Sequence, residues 1–339
     1  MICSKLKNII QGNLLNEING EECCLLDIPN HRNSGDHLIW QGEVDFLSEQ
    51  IYYSCSFLFF NPKKIKKGTT ILLHGGGNFG DIYRAHQEFR NKIISTFPNN
   101  KIIVLPQTVF YQTNTFLKTD ANIFGKHKNL TICTRDEKSQ KFLQENFHNN
   151  KVILLPDMAF CSTYSVNKEI KPSRNILFIQ RTDKELLNKD NQLNHVITNI
   201  DTLDWPLFDF ENNTIGKFAL NKLKSLNNKI SRILSNSILS FLVNPNYGII
   251  TLEKREDHTK NAVDFLSKYN LVITTRLHGF ILCTLLNIPV IIIDNSYGKN
   301  SNFYNTWMSN SEKIDFAQDV SAVESILKKK YSHLCDFTL

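Results

Sequence analysis

Short apolar runs recur along the chain, each closed by a glycine, a proline or a polar turn. Those at 24–28, 70–73, 101–105, 130–133 and 152–155 have the length and composition of buried strands. Between them lie stretches with apolar residues three and four apart, at 37–50 and about 81–96, and a helical stretch ending near Phe147. A polar segment at 161–174 reads as a linker. The pattern then restarts, with strands at 175–179, 247–252, 271–273 and 290–293 and a helix at about 258–268. A last basic helix is expected at 318–332. Repeated strand–helix units predict parallel sheets covered by helices. The 339 residues suit about two domains. We therefore expect an α/β chain of two Rossmann-like domains, 1–165 and 170–312, facing a cleft. Residues 313–339 are expected to pack back on the first domain.

Within this pattern, residues 70–81 read Thr-Ile-Leu-Leu-His-Gly-Gly-Gly-Asn-Phe-Gly-Asp. A buried strand runs into Gly75, Gly76 and Gly77, then Asn78 and Asp81 lead toward a helix. Three adjacent residues without Cβ let a backbone approach a ligand closely, whereas a structural turn usually needs one glycine. The pattern N-x-G-D occurs twice, at Asn33–Asp36 and Asn78–Asp81. Each lies at a strand-to-helix turn, where an aspartate can simply cap the helix. The shared Asn-x-Gly favours a common cleft wall.

Residues 274–279, Thr-Thr-Arg-Leu-His-Gly, follow an apolar strand and precede an apolar helix. In an extended segment Arg276 and His278, two apart, point to one side. Arginine can clamp an anion through its fork and histidine can exchange a proton near neutral pH. A helix beginning beyond Gly279 would add partial positive charge. Arg181 and Lys299 lie at other strand ends and can converge there. Arg135 also follows a strand, although Asp136 beside it permits a local ion pair.

Composition narrows the alternatives. Hydrophobic content of 41%, charged content of 21% and a net charge of +6 describe an ordinary globular protein without a nucleic-acid signature. No run is long enough to span a bilayer, and the N-terminus lacks the apolar core of a leader. The eight cysteines include no C-x-x-C pair, so they read as reduced, buried thiols of a cytosolic protein. No metal-ligand spacing is present. Residues 214–243 interleave Lys217, Lys222, Lys224, Lys229 and Arg232 with apolar positions. Such a segment either lies on an anionic membrane or presents a solvated face on a core helix.

These motifs together resemble the polysaccharide pyruvyl transferase family, in its exopolysaccharide-type branch. The match rests on N-x-G-D at 33–36, G-G-G-N-x-G-D at 75–81, R-D-x-x-S at 135–139, R-L-H-G at 276–279 and Pro106-Gln107-Thr108. It extends over roughly 22–310. The resemblance implies a GT-B-like fold and transfer of a pyruvyl group from phosphoenolpyruvate to a sugar, usually as a ketal across two hydroxyls, in exopolysaccharide or capsule biosynthesis. Phosphoenolpyruvate is then a co-substrate, with no cofactor or metal. Arg276 and His278 carry over to the donor. A donor with phosphate and carboxylate groups needs two or three fixed cations, which Arg276, Arg181, Lys299 and Arg135 can supply. His278 as imidazolium can protonate the methylene carbon, and Asp81 or Asp36 can orient or deprotonate the acceptor. Asn33, Asn78, Gln107 and the three glycines fall to the acceptor wall. The implied protein is cytoplasmic, with peripheral contact to the inner membrane face through 214–243 and a lipid-linked oligosaccharide acceptor as open alternatives. A GT-B-like glycosyltransferase using a nucleotide sugar is the competing enzyme, and an idle carbohydrate-binding protein the competing non-enzyme.

Overall fold

The computed structural model describes residues 2–18, 20, 22–164, 174–180, 193, 196–205, 214–294, 298–309 and 311–337. It opens on a helix that strand-seeking patterns pass over, Ile2–Ile18 (α1). Its Leu6, Ile10, Leu14 and Ile18 recur every four residues and are all buried.

Strands Cys23–Leu26 (β1), Ile51–Cys55 (β2), Thr70–Leu73 (β3), Gly76–Gly80 (β4), Ile102–Phe110 (β5), Leu130–Thr134 (β6) and Lys151–Leu154 (β7) form the first sheet. Its order is β2-β1-β3-β5-β6-β7, with β4 paired to β5, and every pairing is parallel. Helices Ser34–Leu47 (α2), Arg84–Thr96 (α3), Asn114–Gly125 (α4) and Glu137–Asn146 (α5) connect the strands. The second sheet holds Arg174–Ile179 (β8), Ile200–Leu203 (β9), Tyr269–Thr274 (β10), Val290–Ile293 (β11) and Ile314–Ala317 (β12), in the order β12-β11-β10-β8-β9, again parallel. With it go helices Thr214–Ser235 (α6), Arg255–Leu266 (α7), Leu277–Leu286 (α8), Lys299–Trp307 (α9) and Val320–Lys330 (α10). Covered parallel strands read as unbroken apolar runs, which marks β1, β3, β5, β6, β7, β8, β10 and β11 in the sequence, while β2, β4, β9 and β12 mix polar residues or glycines with apolar ones and carry no such run.

One core cluster joins the two sheets. Leu25 and Leu72 of the first share it with Leu177, Val272 and Ile292 of the second, and α1, α2 and α8 contribute to it.

Four expectations need correction. The glycine segment is a strand as well as a loop, since β4 pairs with the far half of β5. Strand β5 does not stop at Pro106. It pairs with β3 as far as Val104 and with β4 from Gln107, so the proline falls where partners change and its missing N–H costs no ladder bond. Residues 247–252 are not a strand. Gly248 adopts φ +86, and the amides of Ile249 and Ile250 bond to Asn227 and Ser231 of α6. Helix α10 does not pack back on the first sheet. Val323 and Leu327 are buried against Ile176, Phe178 and Ile291 of the second, a burial worth roughly 1.5–3 kcal/mol per side chain.

In an open parallel sheet, ligands gather where strand order reverses, beyond the carboxyl ends. The first sheet reverses between β1 and β3, and the second between β8 and β10. The segments leaving β1, β3 and β10 all contribute to one pocket.

Candidate active site

The pocket has a volume of about 370 Å3 and takes residues from both sheets. Beyond β1 the chain turns at Asp27, a non-glycine residue with φ +68. Such strain concentrates at functional sites. Asp27 is buried, and its Oδ1 lies 2.8 Å from Nδ1 of His86, which lines the pocket. His31, Arg32, Asn33 and Asp36 follow on the same wall. Asn33, not Asp36, does the capping work at α2, its Oδ1 accepting from the Gly35 amide at 3.1 Å. Asp36 is thereby left to the pocket, accepting from Asn33 Nδ2 at 3.0 Å. Burial opposes its charge, but His31, His278, His74 and Lys299 outweigh that and hold its pKa at about 2.

The second N-x-G-D behaves differently. Asp81 accepts the amides of Gln112 and Thr113 at 2.8–2.9 Å. It caps no helix and is not among the pocket residues. It tethers the loop at 112–113, and of the two aspartates Asp36 is the one that lines the pocket. Asn78 does reach the pocket, with its side-chain and backbone oxygens held by Arg90.

Of the three glycines, Gly77 is the one in the pocket. A Cβ there would lie 2.6 Å from Nζ of Lys299 and 3.1 Å from Nη2 of Arg135. Gly75 and Gly76 support it from behind. The Gly75 amide donates to Glu43 Oε1 at 2.8 Å, and Glu43 Oε2 meets His74 Nδ1 at 2.6 Å. Burial opposes charge on His74, but Glu43 raises its pKa above the usual value. Gln107 also stands behind the loop, donating to the His74 carbonyl at 2.7 Å.

His278 occupies the first turn of α8, with Arg276 as the N-cap. The segment is therefore not extended, and the helix starts before Gly279 rather than after it. Both side chains still line the one pocket. Nε2 of His278 lies 3.4 Å from Asp157 Oδ2 and 3.4 Å from Arg135 Nη1. Asp157 and Arg135 are themselves paired at 2.5 Å, both buried. Burial disfavours the Asp157 charge, but Arg135 and then His278 hold its pKa well below the carboxylate range. Burial pushes the His278 ring below the usual histidine value, against the pull of Asp157. The other face of the ring meets Gly35, where a Cβ would fall 2.5 Å from Nδ1. Thus the start of α2 clamps the histidine from the opposite sheet.

The expected cations are partly assembled. Arg135, fully buried, pairs with Asp157 and not with its neighbour Asp136, whose carboxylate bonds Ser139 and Thr108. Among the described residues its Nη2 has no hydrogen-bond partner. Lys299 begins α9 with its ammonium beside Gly77. Arg276 enters the pocket through a two-point pair with Asp204, one contact at 2.6 Å. Arg181 lies outside the described residues. Sequence reasoning missed Asp157, His86 with Asp27, and Trp205. The one available signal was an acid within three residues of a strand end, which Asp27 and Asp157 share. Pairing to a histidine needs the fold.

Comparison with known proteins identifies the family. The family model for polysaccharide pyruvyl transferase matches residues 33–297. The chain is 36% identical to "Putative pyruvyl transferase EpsO" of Bacillus subtilis (strain 168), over 90% of this chain and 91% of that one. It is 27% identical to "Pyruvyl transferase 1" of Schizosaccharomyces pombe, over 85% and 70% respectively. A crystal structure of a functionally uncharacterised Klebsiella pneumoniae protein superposes with a TM-score of 0.57 at 20% identity, covering 92% of this chain and 98% of that one. That last likeness concerns fold alone. From the matched span, and from relatives alike along most of their length, the chain belongs to the polysaccharide pyruvyl transferase family.

Proposed function

We propose that this transferase moves a pyruvyl group from phosphoenolpyruvate to a sugar and closes it as a ketal across two hydroxyls. The observation that carries the reading is His278, held between the Asp157 carboxylate and the Arg135 guanidinium in a pocket that also holds Lys299 and Arg276. That is a proton donor set among cations, which a donor bearing phosphate and carboxylate requires. Lys299 meets the dianion at Gly77, Arg276 exchanges Asp204 for it, and the buried Arg135 adds its charge from behind the pocket wall. An acceptor hydroxyl attacks C2 while C3 takes a proton from His278, and the attacking hydroxyl gives its own proton back to the imidazole. The C2–O bond to phosphate then breaks as the second hydroxyl closes the ring, and the proton of that hydroxyl leaves with the phosphate. Asp36, ionised across the physiological range, orients the acceptor. The two sheets, meeting at their switch points, support a GT-B-like arrangement of two domains. We place the protein in the cytoplasm, peripheral to the inner membrane face. Among the described residues no helix is long and apolar enough to cross a membrane.

Incubation with phosphoenolpyruvate and a panel of glycosides is expected to release phosphate only when a sugar is present, with a matching gain in sugar mass. Turnover of a nucleotide sugar instead would replace this reading with the glycosyltransferase one. A second expectation concerns Gly77. In Gly77→Ala the new methyl displaces the Lys299 ammonium, a flexible group, so folding is barely affected. Loss of one charged hydrogen bond should raise the KM for phosphoenolpyruvate about tenfold. Thermal melts and initial rates on the same preparation separate the two effects.

A further inference from the structure

Helix α6 is inverted. The face it turns to the protein is polar, with Asn227, Ser231 and Ser235 buried at intervals of four residues. Asn227 Nδ2 donates to the carbonyls of Tyr247 and Ile250 at 2.9 and 3.0 Å, and its Oδ1 accepts the amides of Ile249 and Ile250, each at 3.0 Å. The Ser235 carbonyl accepts from Asn61 at 2.8 Å. The apolar side chains of α6 face outward, with Phe218 71%, Leu226 53% and Ile233 72% exposed. Exposure continues beyond the helix at Ile238 (92%) and Phe241 (75%), the latter in a turn that packs beside α6. A single exposed leucine needs no explanation, but a set of this size marks a surface that something covers.

Charge identifies what covers it. Between Glu211 and Glu253 the chain has no acidic residue and five basic ones. Phe218, Lys222, Leu226, Lys229 and Ile233 follow one another at steps of three or four, so they form a single exposed stripe that alternates apolar and cationic. A second copy of this face would set cation against cation. A bilayer with anionic headgroups satisfies both halves of the stripe. We propose that α6 and the turn after it dock the protein on an anionic lipid surface.

The surface adjoins the active-site pocket. Glu253 forms an ion pair with Arg32, Oε1 to Nε at 2.8 Å, and lies 3.5 Å from Lys224 Nζ on α6, and Arg32 lines the pocket. Docking therefore holds the pocket close to the headgroup layer, which suits a lipid-linked sugar as acceptor. The docking itself is independent of the proposed transfer, while the choice of acceptor rests on it.

Flotation of the full chain with vesicles tests this. The protein should float with phosphatidylcholine–phosphatidylglycerol vesicles, at least about tenfold more than with phosphatidylcholine alone, and salt should release it. Ile233→Asp with Phe241→Asp, both at exposed positions, should abolish flotation while leaving the melting temperature and phosphate release with a soluble glycoside unchanged. Two results would overturn the proposal. One is a protein that stays with the soluble fraction in both vesicle mixtures. The other is a wild-type dimer, by sedimentation, that the double variant splits into monomers. Absence of sugar-dependent phosphate release beside normal flotation would count against the transfer reading and leave the docking surface standing.

Discussion

Arg135→Leu is expected to destabilise the protein by about 3–5 kcal/mol and to abolish pyruvyl transfer. The size follows from burial. Arg135 and Asp157 are both excluded from solvent and pair at 2.5 Å, so removal of the guanidinium strands a carboxylate in the core. The guanidinium also anchors its surroundings, since Nε donates to Thr108 Oγ1 at 2.9 Å. Denaturant melts separate the two effects when Asp157→Leu is added. The double variant no longer strands a charge and should recover a large part of the stability. It should remain inactive, because both the cation and the partner of His278 are gone. Recovery of transfer in the double variant would mean that Arg135 serves only the fold.

His278→Ala should lower the turnover rate by about 10²–10⁴-fold, the usual worth of a placed proton donor, with a smaller change in donor affinity. A pH effect accompanies it. Burial holds the free His278 ring below the usual histidine value, which favours its neutral form. A bound dianion favours the imidazolium and raises that pKa. Binding therefore takes up a proton in the window between the free and bound values, and donor affinity falls as pH rises through that window. Calorimetry in buffers of different ionisation enthalpy should record the uptake in the wild type and none in His278→Ala. Equal uptake in both would assign the proton to another group.

Much of this site could be read along the chain, because each part follows a buried strand. Apolar runs mark β1, β3, β10 and β11, and Asp36, Gly77, Arg276 with His278, and Lys299 stand in the segments that follow them. What could not be read is pairing across the two sheets. Arg135 appeared tied to Asp136, its neighbour, and the fold gives it Asp157 instead. The two N-x-G-D copies looked equivalent, yet one aspartate enters the pocket and the other secures a loop. Identical words acquire different partners once the chain is folded. Proline 106 misled for a related reason. A proline ends a strand only if its amide is needed, and that depends on which neighbour lies alongside. Helix α1 carried a plain repeat of four apolar positions, but nothing local says against what they pack.

That last helix has a consequence for synthesis. The Cys3 thiol donates to the carbonyl of Thr284, 281 residues away, and the buried face of α1 shares its core with α8. Helix α1 therefore completes its cover only once α8 has been made. At about 5–20 residues per second, that is roughly 15–55 s after Cys3. Until then the α1 face built by Leu6, Ile10, Leu14 and Ile18 lacks the part of its cover that α8 supplies, and chaperone demand should concentrate on that face rather than on the sheets.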